Sequence, residues 1–185
     1  MLAPITALVG LTCSGLVSGL TLAYPVLVNT HFLDQQGAKI SPSALHVNLN
    51  IAQRLTLWER AFKAGFVIPA VSVLSAVMLT TFAFSCDPRN DKNALMKRLG
   101  SNWELRKKYI LGAAALSVSL IVFTVAAILP TNAKLLALRQ AANNRETIDV
   151  NQAESLMRRW TQLHNVRVVA AFSSFVLGLY SFVVL

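Results

Sequence analysis

The chain has 185 residues, of which 55% are hydrophobic and only 14% charged, and it carries a net charge of +9. A soluble domain has about 25% charged residues, so an ordinary water-soluble globule is excluded. The positive charge does not mark a nucleic-acid binder. Most cations flank apolar runs, and no aromatic-interleaved basic patch or nucleic-acid motif occurs.

Four stretches are long and apolar: 5–28, 64–85, 109–129 and 166–185, the last with Arg167 at its start. About 20 apolar residues in a helix cross the roughly 30 Å hydrocarbon layer of a bilayer. The runs lack the period-two alternation of a closed barrel. They predict an all-α fold: a four-helix transmembrane bundle forming a single integral membrane domain over residues 1–185.

The first span places Gly15 and Gly19 in a GxxxG, with Gly10, Ser14 and Ser18 on the adjoining face, and ends near Pro25. Small residues let helix backbones approach closely, which suits either a tight bundle or a homo-oligomer. The N-terminus lacks the basic stretch of a signal peptide and its apolar run is too long for one, so it is expected to stay as the first span. Cys13 in span one and Cys86 beyond span two lie at different depths in antiparallel spans, so no disulfide is expected.

Before span two, Leu49, Ala52, Leu55, Trp58 and Phe62 recur at spacings of three and four, a helical stripe running towards the membrane. Pro69 is expected to kink span two or to mark backbone lining a cavity, as is Pro25 in span one. The segment after span two carries Arg89, Lys92, Lys97, Arg98, Arg106, Lys107 and Lys108, the densest cationic run. The positive-inside rule puts this side, with both termini, in the cytosol. An endomembrane location in the endoplasmic reticulum or vesicles is expected. "NAKLLALRQAA" prolongs span three, and Asn143–Thr147 is a turn. Asp149 and Gln152, spaced like a capping box, open a helix that runs into span four. The helices are therefore expected to extend beyond the bilayer on the side of the two longer loops.

The chemistry-bearing residues gather on that same side. Trp160, His164 and Arg167 are spaced by four and three and share one helix face. Asn132 follows Pro130 at the end of span three. Each has a plain structural reading: an interfacial Trp, a solvated His, a snorkelling Arg, a capping Asn. Arg167, however, lies a full turn deeper than the anchoring pair Arg158–Arg159, and an ionisable residue at membrane depth is a functional candidate. His31, His46 and His164 are conceivable metal ligands, but no HxxxH or HxH pair fixes two of them on one element. There is no haem, flavin or phosphate-loop motif. Neither metal nor cofactor is expected.

"ILPTNAKLLAL" at 128–138 and "LMRRWTQLHNVRVVAAF" at 156–172 resemble the anthrone oxygenase family of small four-helix membrane proteins. That family carries Pro-x-Asn at the end of span three, here Pro130 and Asn132. It carries Trp-x-x-x-(His/Asn)-x-x-Arg at the mouth of span four, here Trp160, His164 and Arg167. The Gly15–Gly19–Pro25 and Trp58–Gly65–Pro69 arrangements are similar too. The resemblance implies oxidation of an anthrone, such as emodin anthrone, to the anthraquinone. Dioxygen would be the co-substrate, with no cofactor, in fungal aromatic polyketide biosynthesis. For that reaction His164 is the candidate base, Arg167 the candidate clamp for the anthrolate oxygen or superoxide and Asn132 a hydrogen-bonding partner, with Trp160, Asn165 and Trp58 expected against the substrate. The expected partners are thus a small aromatic polyketide and membrane lipid, without nucleic acid. Two non-catalytic readings stand beside this one: a four-span carrier for an apolar ligand, and an assembly protein. A claudin-like version of the latter would need paired extracellular cysteines that the chain lacks.

Overall fold

A computed structural model describes residues 2–28, 49–85, 97 and 99–185. Helix α1 (Leu2–Ala23) continues as a π-helical segment, Tyr24–Val28. Helices α2 (Ile51–Ala64) and α3 (Val67–Ser85) are separated by a turn at Gly65–Phe66. Helix α4 (Trp103–Phe123) runs through a second π-segment, Thr124–Ile128, into α5 (Leu129–Asn143). Helix α6 (Val150–Val183) is unbroken. No strand occurs among the described residues.

These elements make four rods, Pro4–Val28, Ile51–Ser85, Trp103–Asn143 and Val150–Val183, each long and apolar enough to cross a membrane. The protein is an all-α four-helix bundle, as its sequence pattern predicts. Helix α1 packs on α3 and α6, and α4 packs on the same two, so the four spans close into a ring.

Solvent preference is inverted relative to a soluble bundle. Leu8, Val26, Phe84, Val122 and Val169 are each more than half exposed, as side chains facing lipid should be, while hydroxyls turn inward. Ser174 Oγ donates to the Ala113 carbonyl at 2.8 Å and lies 2.9 Å from Ser117 Oγ and 3.2 Å from Ser14 Oγ. This knot joins α1, α4 and α6 at the bundle axis, where small residues allow close approach. Of the GxxxG pair, Gly15 faces Phe175 of α6, whereas Gly19 has nothing within 4 Å.

Beyond the apolar zone the rods continue as a helical head. Asn50 and Gln53 form a reciprocal capping box that starts α2: Asn50 Oδ1 accepts from Gln53 N–H at 2.9 Å, and Gln53 Oε1 accepts from Asn50 N–H at 3.0 Å. Asp149 accepts from the Gln152 backbone N–H at 3.1 Å at the start of α6. Leu55 and Trp58, from the stripe legible in the sequence, are fully buried. Ion pairs tie the head together: Arg54–Glu154 at 3.1 Å joins α2 to α6, and Arg139–Glu59 at 3.2 Å joins α5 to α2. At the other end Arg106 is buried. Its Nε donates to the Ser101 carbonyl at 2.9 Å and its Nη1 to the Ser181 carbonyl. One cation of the cationic run therefore binds the last turn of α6 instead of facing headgroups.

Candidate active site

Three of the four rods break where they meet one cavity. Proline lacks the N–H of a helix interior and its ring pushes against the carbonyl four residues earlier. Pro25 lies in the first π-segment. Pro69 lies in the first turn of α3, after the Gly65–Phe66 turn. Pro130 follows the second π-segment. Segments of π-helix recur at functional sites because they redirect side chains. Here they aim Tyr24, Thr124 and Ile128 into the cavity. The unbroken α6 supplies Trp160, His164 and Arg167. Phe62, Phe66 and Pro69 of span two and Leu129 and Asn132 of span three complete the wall. The cavity measures about 60 Å³, room for a few waters, and is open on one side.

His164 is 1% exposed. Its Nε2 lies 3.0 Å from the Thr21 carbonyl oxygen. A carbonyl only accepts, so Nε2 carries the proton, and in the neutral ring Nδ1 holds the lone pair. Nδ1 is buried and has no hydrogen-bond partner among the described residues. The ring is held on both sides. Trp160 stacks on it at 5.1 Å and 18°, and the Tyr24 ring lies 4.6 Å away. The Thr21 carbonyl is available for a local reason: in a regular helix it would receive the N–H of residue 25, and that residue is proline.

Arg167 is buried in the same wall. Among the described residues no carboxylate pairs with it, and its Nε has no acceptor. A buried guanidinium without a counter-charge is costly. A cation at the hydrocarbon centre costs about 2.5–3.5 kcal/mol on insertion scales, which snorkelling ordinarily relieves. Arg158 and Arg159 are exposed, as anchors should be, and Arg167 is not. Asn132, 3% exposed, presents a third buried atom with no partner, Oδ1. His164 Nδ1, Arg167 Nε and Asn132 Oδ1, each buried and without a hydrogen-bond partner among the described residues, thus belong to three residues that border one apolar cavity. Buried polar groups are otherwise almost always paired.

The structure separates the other two residues expected at substrate. Trp58 is fully buried behind the wall, stacked on Phe62 at 5.4 Å and edge-on to Trp160 at 6.3 Å. It supports cavity residues without lining the cavity. Asn165 is exposed on the outside of α6. One residue on from His164 is a rotation of about 100° in a helix, which carries its side chain away from the site. Trp160 does line the cavity, but one of its faces is already taken by His164.

Tyr24 and Thr21 join the site without having been singled out by sequence pattern, and Gly65, read in the sequence together with Trp58 and Pro69, joins it beside them. Tyr24 Oη donates to the Ala61 carbonyl at 2.7 Å, bracing the end of α2 against span one. A Cβ on Gly65 would sit 2.5 Å from that hydroxyl, so only glycine fits. The adjacency of Tyr24 to Pro25 was the available signal. The candidate ligands His31 and His46 lie outside the described residues. Among the described residues no three His, Cys, Asp or Glu side chains gather.

The family model for anthrone oxygenases matches residues 58–177. The chain belongs to the anthrone oxygenase family. It is similar to the anthrone oxygenase dmxR16 of Cryptosporiopsis sp. (strain 8999), with 28% identity over 138 residues, covering 74% of this chain and 69% of that protein. No solved structure matches. Asn132, Trp160, His164 and Arg167 all fall within the matched region. Thr21 and Tyr24 lie outside it.

Proposed function

We infer that this membrane protein oxidises an anthrone to the corresponding anthraquinone with dioxygen, at the cavity between the broken helices. One observation carries the reading. In a member of the anthrone oxygenase family, His164, Arg167 and Asn132 border one apolar cavity, and each has a buried polar atom (Nδ1, Nε and Oδ1) without a partner among the described residues.

An anthrone is flat, apolar and weakly acidic at its central methylene. His164 Nδ1 takes a methylene proton, leaving an electron-rich anthrolate. General-base help of this kind is typically worth about 10²–10⁴-fold. The Thr21 carbonyl stabilises the imidazolium through Nε2–H, and the two flanking rings keep its orientation. Arg167 faces the anthrolate oxygen as negative charge builds there, and it acts more strongly in a dry cavity than in water. Asn132 orients a hydroxyl beside the carbonyl by accepting its hydrogen.

The anthrolate passes one electron to dioxygen. The carbon radical and superoxide combine, forming a C–O bond, and the peroxide takes the proton held by His164. The base then removes the remaining C–H proton. Its electron pair becomes the C=O π bond, the O–O bond breaks, and the leaving hydroxide takes up the proton as water. One anthrone and one dioxygen give one quinone and one water.

The test is turnover by the purified protein in lipid vesicles, with an anthrone in air, against protein-free vesicles that report autoxidation. Acceleration that saturates with anthrone supports the reading. A rate equal to the protein-free background refutes it.

A further inference from the structure

The cavity is walled unevenly. Tyr24 of span one and Trp160, His164 and Arg167 of span four are buried. Every cavity residue that is exposed or half-buried belongs to span two or span three: Phe62, Gly65, Phe66, Pro69, Thr124 and Leu129. The mouth therefore lies between those two spans. The second π-segment explains the gap. Outside its own rod it packs chiefly on α6 of span four, which leaves room between spans two and three at this level.

The side chains at and beside the mouth are largely apolar. Phe66 and Leu129, which line it, are 63% and 43% exposed, and Val67 and Val125, next to lining residues in the chain, are 49% and 57% exposed. The depth of the mouth can be placed. From Lys108 to Leu129 is about 31 Å at 1.5 Å per residue, close to the roughly 30 Å hydrocarbon thickness. The exposed Lys63 and Lys134 stand just beyond the mouth, where cations reach headgroups. The mouth thus opens sideways at the edge of the hydrocarbon layer, below the headgroups.

We propose that the gap between Phe66–Val67 and Val125–Leu129 is a lateral portal, through which a flat, largely apolar aromatic bearing phenol groups enters from the lipid phase. Such a molecule concentrates at this depth, with its rings in hydrocarbon and its hydroxyls near the headgroups. The cavity, about 60 Å³ and open on one side, is too small for three fused rings to enter whole. The ring system therefore lies partly in the portal, with its central ring reaching between His164 and Arg167. This rests on the reading of the site above for the substrate's chemistry, and on the lining residues alone for the route.

Two measurements on full-length protein in phosphatidylcholine vesicles, with Cys13 and Cys86 replaced by Ala, test it. Spin labels at Val67→Cys and Val125→Cys should collide with dissolved dioxygen much more than with a water-soluble nickel chelate. Chelate-dominated relaxation would mean that the mouth faces water, and would overturn the portal. In the double variant, a reducible bismaleimide bridge should cut both anthrone turnover and binding of an anthraquinone, read by tryptophan quenching, by roughly tenfold or more, as expected when entry is blocked. Reducing the bridge should restore both. Unchanged turnover and binding with the bridge closed would overturn the proposal. Should the protein bind anthraquinone through an open portal yet never oxidise an anthrone, the enzymatic reading fails and the portal stands.

Discussion

On the proposed reading His164 has two separable duties: Nε2 anchors the ring to the Thr21 carbonyl, and Nδ1, buried without a partner among the described residues, serves as the base. His164→Gln keeps an amide N–H for the anchor but has no basic nitrogen. It should fold and insert normally, yet lose about 10²-fold or more in turnover. If His164 were only an anchor, Gln would retain activity. Arg167→Lys is the matching test of the guanidinium. It keeps the charge and removes the planar fork, so a snorkelling anchor tolerates it and an oxyanion clamp does not. We expect kcat to fall at least about tenfold for Arg167→Lys, while the exposed Arg158→Ala stays within about ±0.5 kcal/mol in stability and near wild type in rate.

At the scale of elements, the site depends on where helices fail. Pro25 withholds an N–H from the Thr21 carbonyl and tilts that carbonyl outward. Pro25→Ala supplies the missing donor. The expected outcome is a lower kcat at nearly unchanged KM, with the ¹⁵N spectrum of His164 moving from the Nε2–H tautomer to a mixture. An unchanged tautomer with unchanged kcat would remove Pro25 from the account. The prolines and the Trp160–His164–Arg167 face were legible in the sequence because they depend on local spacing. The π-segments were not, since that geometry is settled by packing between rods. Tyr24 escaped notice because it sits inside an apolar run, where its hydroxyl gives no periodic signal. Asn165 lies outside the cavity for the opposite reason: chain adjacency to His164 does not survive a rotation of about 100°.

At the scale of the molecule, four apolar rods and their lengths were readable from composition alone, because lipid demands long unbroken stretches of apolar side chains. The closed ring of spans and the gap between two of them were not, since they depend on which faces carry Ser and Gly. The charge distribution predicts the orientation. With the cationic segment in the cytosol, Asn144→Cys, in the exposed turn before α6, should resist an impermeant thiol reagent in sealed cytosol-side-out vesicles and react once they are opened. Labelling before opening would reverse the topology. Turnover should also survive strong chelation, as expected of a sequence with no paired metal-ligand spacing. Loss of activity on chelation, restored by one metal, would return His31, His46 and His164 to consideration.

The most direct measurement is dioxygen incorporation by the purified protein in lipid, with an anthrone under ¹⁸O₂. Wild type and His164→Gln are compared with protein-free vesicles. The account predicts one ¹⁸O atom in the quinone per dioxygen consumed, at a rate well above background in wild type and about 10²-fold lower in His164→Gln. A wild-type rate equal to background, or a His164→Gln rate equal to wild type, would contradict it.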